Sequence, residues 1–156
     1  MKKISIHTNL QQVTLEELPT DYQKLIELAK TQTKSAYAPY SKFFVGAAVL
    51  LNDGQVIGGN NQENAAYPSG LCAERVALFY ANSQHPSTPI KALAIAAYTN
   101  NSFVKKPIAP CGSCLQVLVE CELRFNQNIE IILYGEQEIY HIKKAGELLP
   151  FSFTLK

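Results

Sequence analysis

Residues 90–134 read IKALAIAAYTNNSFVKKPIAPCGSCLQVLVECELRFNQNIEIILY, and this stretch decides the fold. Ile90–Tyr98 is a continuous apolar run, the pattern of a strand covered on both faces. In Cys111–Leu123, residues Leu115, Leu118, Val119 and Glu122 have helical spacing, which predicts a helix with two distinct sides. Ile129–Tyr134 reads as a second buried strand. Strand, helix and strand in that order predict a βαβ unit.

Outward from this unit the punctuation is clear. Phe43–Leu51 is apolar and partly β-branched, Asn52-Asp53-Gly54 is a turn signal, and Gln55–Gly59 continues as a second strand, which gives a hairpin. Leu71–Ala81 reads as a buried helix. Tyr22, Leu25, Ile26 and Ala29 recur at helical spacing after Pro19-Thr20-Asp21, so an amphipathic helix is expected there, ending near Ser35. Glu138–Ile142 reads as a short strand and Ala145–Leu149 as a last turn of helix before Pro150. Lys3–His7 is a candidate strand and Val13–Leu18 a turn or loop. A hairpin followed by βαβ units implies a mixed sheet with helices on its faces.

Composition bounds the function. The chain has 156 residues, 47% hydrophobic and 17% charged, which suits one domain with a sizeable core and argues against disorder. A formal net charge of +1 argues against a polyanionic partner. Lys2-Lys3, Lys105-Lys106 and Lys143-Lys144 read as solvated pairs. No apolar run is long enough for a membrane span, and MKKISIHTNLQQ lacks the apolar stretch of a signal peptide. A cytosolic protein is expected. In that compartment cysteines read as metal ligands or reactive thiols rather than disulfides.

Three cysteines and a glutamate carry the chemistry: Cys72-Ala73-Glu74, then Pro110-Cys111-Gly112-Ser113-Cys114. Three thiolates can hold Zn²⁺ and leave its fourth position open, as a catalytic site requires. A carboxylate two residues from the first ligand is placed to move protons for an activated water. This ligand set and its adjacent Glu follow the known signature of zinc deaminases. Both cysteine segments fall where a helix is expected to begin, and the free N–H groups there lower thiol pKa. Zinc with three thiolates carries net charge −1, so Arg75 is the candidate for compensation; otherwise it is a surface arginine. A Cys-x-x-Cys pair alone also fits a redox pair or half a zinc ribbon. A redox pair leaves Cys72-Ala73-Glu74 unexplained, and Cys121 lies too near Cys114 to complete a ribbon. His7, His85 and His141 have no ligand-like spacing and read as surface or internally satisfied residues.

Four segments together resemble one family. Tyr37–Ala48 (YAPYSKFFVGAA), Asn61–Tyr67 (NQENAAY), Cys72–Arg75 (CAER) and Pro110–Gln116 (PCGSCLQ) are similar to the homotetrameric, zinc-dependent cytidine deaminases, and Glu147–Phe153 resembles that family's tail. The resemblance runs from about Leu25 to Phe153 and implies a three-layer α/β/α cytidine deaminase-like fold with a mixed, mainly five-stranded sheet. It implies a single such domain over residues 19–156, preceded by an extension, residues 1–18, of unassigned role.

The implied reaction is hydrolytic deamination of cytidine and deoxycytidine to uridine and deoxyuridine with release of ammonia, a step of pyrimidine salvage. The resemblance implies one Zn²⁺ per chain on Cys72, Cys111 and Cys114, with Glu74 as the acid/base. It assigns Asn61 and Glu63 to the ribose 3′-hydroxyl, Phe43 to packing on the base and the backbone of Ala73 to the pyrimidine O2. Tyr67 and Phe153 match positions that reach a neighbouring subunit's site in a tetramer. Read without the family, Phe43 is core packing, Asn61 and Glu63 a polar loop, and Phe153 a tail residue. The chain departs from the family in the extension and at Leu115, where Arg is usual. Three other functions compete: deamination of another aminopyrimidine such as blasticidin S, a non-catalytic zinc-stabilised binding protein, and polynucleotide editing. Asn61 and Glu63 argue against the first, Glu74 against the second and the near-neutral charge against the third.

Overall fold

Side chains along the central strands alternate between two buried faces, and this sets the layers. The computed structural model describes residues 1–155. Its strands are Leu10–Val13 (β1), Phe44–Leu51 (β2), Val56–Asn60 (β3), Ile90–Thr99 (β4), Ser102–Phe103 (β5), Glu130–Tyr134 (β6) and Ile139–Ile142 (β7). Its α-helices are Thr20–Gln32 (α1), Ala73–Gln84 (α2) and Gly112–Phe125 (α3). The sheet runs β1-β7-β6-β4-β2-β3, with β5 paired to β4. β4 and β6 are parallel and flank α3 in sequence, as the βαβ reading requires; the other pairs are antiparallel.

Ala48 and Leu50 of β2, Ala92, Ala94 and Ala96 of β4, and Ile132 of β6 face α1, which covers them with Tyr22, Leu25, Ile26 and Ala29. Ala47, Val49 and Leu51, Leu93 and Ile95, and Ile131 and Leu133 face the other way, towards Ala77 and Leu78 of α2 and Leu118 and Cys121 of α3. The expected three layers are present. The sheet has seven strands: the five expected ones plus β1 and β5.

Two local differences have physical causes. The N-terminal strand is Leu10–Val13, not Lys3–His7, because the edge of β7 accepts it: Leu10 registers with Ile142 and Val13 with Ile139. Just ahead of it, Thr8 Oγ1 donates to the Glu147 carbonyl at 2.9 Å and Asn9 N–H donates to Glu147 Oε2 at 2.9 Å. β5 follows a two-residue turn with Asn100 at φ 50° and Asn101 at φ 62°, the left-handed pair that a tight hairpin demands. Glu122 is buried on the face of α3 that it shares with Leu115, Leu118 and Val119. Its Oε1 accepts from Ile129 N–H at 2.8 Å and Ala145 N–H at 3.0 Å, and its Oε2 from Gly146 N–H at 3.1 Å. His141, also buried, pairs with Glu130 at 2.6 Å, so of the two roles expected for it the structure has the internally satisfied one.

One glycine positions the site. A Cβ at Gly59 of β3 would lie 2.6 Å from the Ala77 nitrogen and 2.8 Å from the Ala73 carbonyl oxygen, both backbone atoms of α2. Neither can move aside as a side-chain end would, so Gly59 lets the first turns of α2 rest on the sheet. Gly59→Ala should therefore cost about 1–3 kcal/mol by overpacking and weaken zinc retention. Urea denaturation with zinc analysis checks this; an unchanged midpoint would show that α2 does not need the contact.

Candidate active site

Cys72 directly precedes α2 and Cys111 directly precedes α3, each in extended backbone as the residue that opens its helix. Cys114 lies in the first turn of α3. The two helix starts meet over the sheet. Cys72 and Cys111 sulfurs are 3.8 Å apart, Cys111 and Cys114 sulfurs 3.5 Å, and all three lie within 4.8 Å of one another. A tetrahedral ion with Zn–S bonds of the usual length needs sulfurs about 3.8 Å apart. The spacing is far too long for a disulfide, and the cysteines are free. Donor type, number and spacing all fit zinc with one open position.

The cluster already shares charge. The hydrogen bond from the Cys114 thiol, aided by Arg75, holds Cys72 down to about 5. The same bond and burial push Cys114 up. Arg75 Nη2 donates to Cys72 Sγ at 3.8 Å, and its Nε is buried without an acceptor. Leu115 is buried and belongs to the apolar core, so the cation at the thiolates is Arg75. Glu74 is only 5% exposed. Burial, with the charge of Cys72, pushes its carboxyl above the usual range.

A cavity of about 510 Å³ opens beside the cluster, lined in part by Tyr40, Asn61, Glu63, Tyr67, Cys72 and Arg75. The Asn61 carboxamide is held by β2 backbone: Oδ1 accepts from Val45 N–H at 2.8 Å and Nδ2 donates to the Phe43 carbonyl at 2.9 Å. Glu63 Oε2 accepts from Tyr40 N–H at 2.9 Å and Ser41 N–H at 3.3 Å. The Tyr40 and Ser41 amides were not legible as a cradle for Glu63; in sequence they signal only a loop. Phe43 is half-buried and packs against the α2–α3 core. Ala73 is the first residue of α2, so its N–H has no acceptor within the helix. Phe153 lies elsewhere, along α3 with Gln116, Glu120 and Leu123. Of the expected site residues, Asn61, Glu63, Tyr67, Cys72 and Arg75 line the cavity, Ala73, Glu74, Cys111 and Cys114 sit at the two helix starts, and Phe43 and Phe153 do not line it.

Residues 19–126 match the family described as the cytidine and deoxycytidylate deaminase zinc-binding region. This chain belongs to the cytidine deaminase family. It is 43% identical to the cytidine deaminase of Halalkalibacterium halodurans, over 86% of this chain and 95% of that one. It is 47% identical to that of Sporosarcina psychrophila, over 86% and 92%. The crystal structure of cytidine deaminase from Burkholderia pseudomallei is similar at TM-score 0.72 and 42% identity, covering 85% of this chain and 98% of that one. That of Mycobacterium tuberculosis is similar at TM-score 0.68 and 34% identity, covering 88% and 100%. Zinc is the family's metal, and the three-cysteine cluster is where this chain takes it. Among the described residues no helix is long and apolar enough to cross a membrane.

Cys111 is exposed, so truncating it removes no core packing. Cys111→Ala should lose bound zinc and lower the Tm of the metal-loaded protein, while leaving the metal-free protein as stable as metal-free wild type. Metal analysis and thermal unfolding of both forms check this; retained zinc would remove Cys111 from the ligand set.

Proposed function

We propose that this chain catalyses hydrolytic deamination of cytidine and deoxycytidine, giving the corresponding uracil nucleoside and ammonia. The observation that carries the reading is Glu74, buried at the start of α2 two residues from Cys72, beside a cluster of three thiols. A structural zinc site has no use for such a carboxylate. Zinc on the three thiolates supplies a Lewis acid that makes water nucleophilic near neutral pH.

Glu74 takes a proton from the attacking water, delivers it to N3 of the pyrimidine, and later serves the departing amine. Its burial keeps bulk water from competing for that proton. The free N–H of Ala73 donates to the pyrimidine O2. Phe43 packs on the base.

Glu63 reads the ribose 3′-hydroxyl. Backbone donors occupy its Oε2, and Oε1 accepts from the sugar. Asn61 retains one N–H and one lone pair beyond its two backbone bonds. These groups favour a nucleoside over a free base, because an unanswered polar pair penalises a ligand lacking the hydroxyl. Arg75 offsets the excess negative charge of the thiolates, and the buried Leu115 adds none.

We extend the proposal to a homotetramer, in which Tyr67 and Phe153 act at a neighbour's site, and to the cytosol, where reduced thiols persist. Tyr67 is 83% exposed and Phe153 70% exposed in the single chain, as residues awaiting a partner surface would be.

The loss of cytidine absorbance on conversion to uridine tests the reading directly. Purified zinc-loaded protein should show it. Glu74→Gln should keep its zinc and lose about 10²–10⁴-fold in kcat. Zinc-loaded wild type that leaves cytidine and deoxycytidine unchanged would overturn the proposal.

A further inference from the structure

Residues 149–155 form no helix or strand, yet one side chain of α3 holds this tail closely. Gln116 Nε2 donates to the Phe153 carbonyl at 2.8 Å, and Gln116 Oε1 accepts from the Phe153 N–H at 3.1 Å. One carboxamide thus satisfies both backbone groups of one residue, as a neighbouring strand would. It fixes where Phe153 sits and leaves the ring uncommitted.

The ring is mostly uncovered in its own subunit. It is 70% exposed, flanked by Phe151 at 85% and Leu155 at 89%. It does not line its own chain's substrate cavity but a groove along α3. Ordering the backbone of an exposed aromatic costs conformational entropy. That cost is offset when the ordered ring enters a pocket already in the right place.

We propose that Gln116 is a positioning residue for the reaction: it clamps the Phe153 backbone so that the ring is presented to the substrate cavity of a second copy of this chain. The proposal rests on the shared-site reading given above. Gln116 follows Cys114 by two residues on the same helix, so the clamp and two zinc ligands move as one rigid piece.

The test compares wild type, Gln116→Met, Phe153→Ala and the double variant, with cytidine kinetics, zinc content and hydrogen exchange at the Phe153 amide. Methionine keeps length and helix propensity and removes both hydrogen bonds. Gln116→Met should raise KM about fivefold, hold kcat within about twofold, keep its zinc and exchange the Phe153 amide faster. On the Phe153→Ala background the same change should add nothing to KM, because it acts through the ring it positions. Gln116→Ala should reproduce the KM effect if the methionine variant folds poorly. An unchanged KM, or the same penalty on both backgrounds, overturns the proposal. If Phe153→Ala raises KM and Gln116→Met does not, the shared-site reading stands and only the clamp is lost. If Phe153→Ala itself leaves KM unchanged, both fall.

Discussion

The rest of the structure depends on how closely the start of α2 approaches β3. Position 59 has no room for a Cβ between the strand and the Ala73 carbonyl. That closeness brings Cys72 to the level of the α3 start and puts the three sulfurs within reach of one ion. Hydrophobic burial under α2 and α3 provides the force, through Leu78, Leu118 and the strand residues they cover. A larger residue on β3 would lift α2 and separate the thiols. The chemistry is therefore set by packing before any ligand is considered.

The second constraint is charge. Three thiolates and a buried carboxylate crowd two adjacent helix starts, and like charges at that range oppose one another. The helix starts supply partial positive charge and unused N–H groups, Arg75 supplies a full charge, and zinc supplies the remainder. Leu115 is turned into the core and adds no charge to this balance. The Arg75 guanidinium reaches Cys72 Sγ through Nη2 while its Nε is buried without an acceptor.

The layers and the zinc ligands were legible because both are written in local spacing. The apolar runs of β2 and β4, the period of α1 and the Cys-x-x-Cys step each occupy a few consecutive residues. What stayed hidden depends on partners distant in the chain. Glu122 falls at helical spacing with Leu115, Leu118 and Val119, but nothing near it in sequence shows that it is a buried anchor for the turn at Ala145. β1 gives little signal of its own, since only pairing with β7 makes it a strand. β5 could have been found, because Asn100-Asn101 suits a tight hairpin. The Tyr40 and Ser41 amides that hold Glu63 could not, because backbone groups carry no residue-specific signal.

β1 is recognised almost wholly through its main chain. Leu10, Gln11 and Gln12 are exposed, and their backbone pairs with β7 whatever their side chains. The side chains that carry bonds in this segment are those of Thr8 and Asn9, at Glu147. Such a strand can drift in sequence without losing its place, and over generations its record should blur sooner than that of any other strand. The two glutamines also keep the new outer edge of the sheet wet, which discourages a further strand from adding to it.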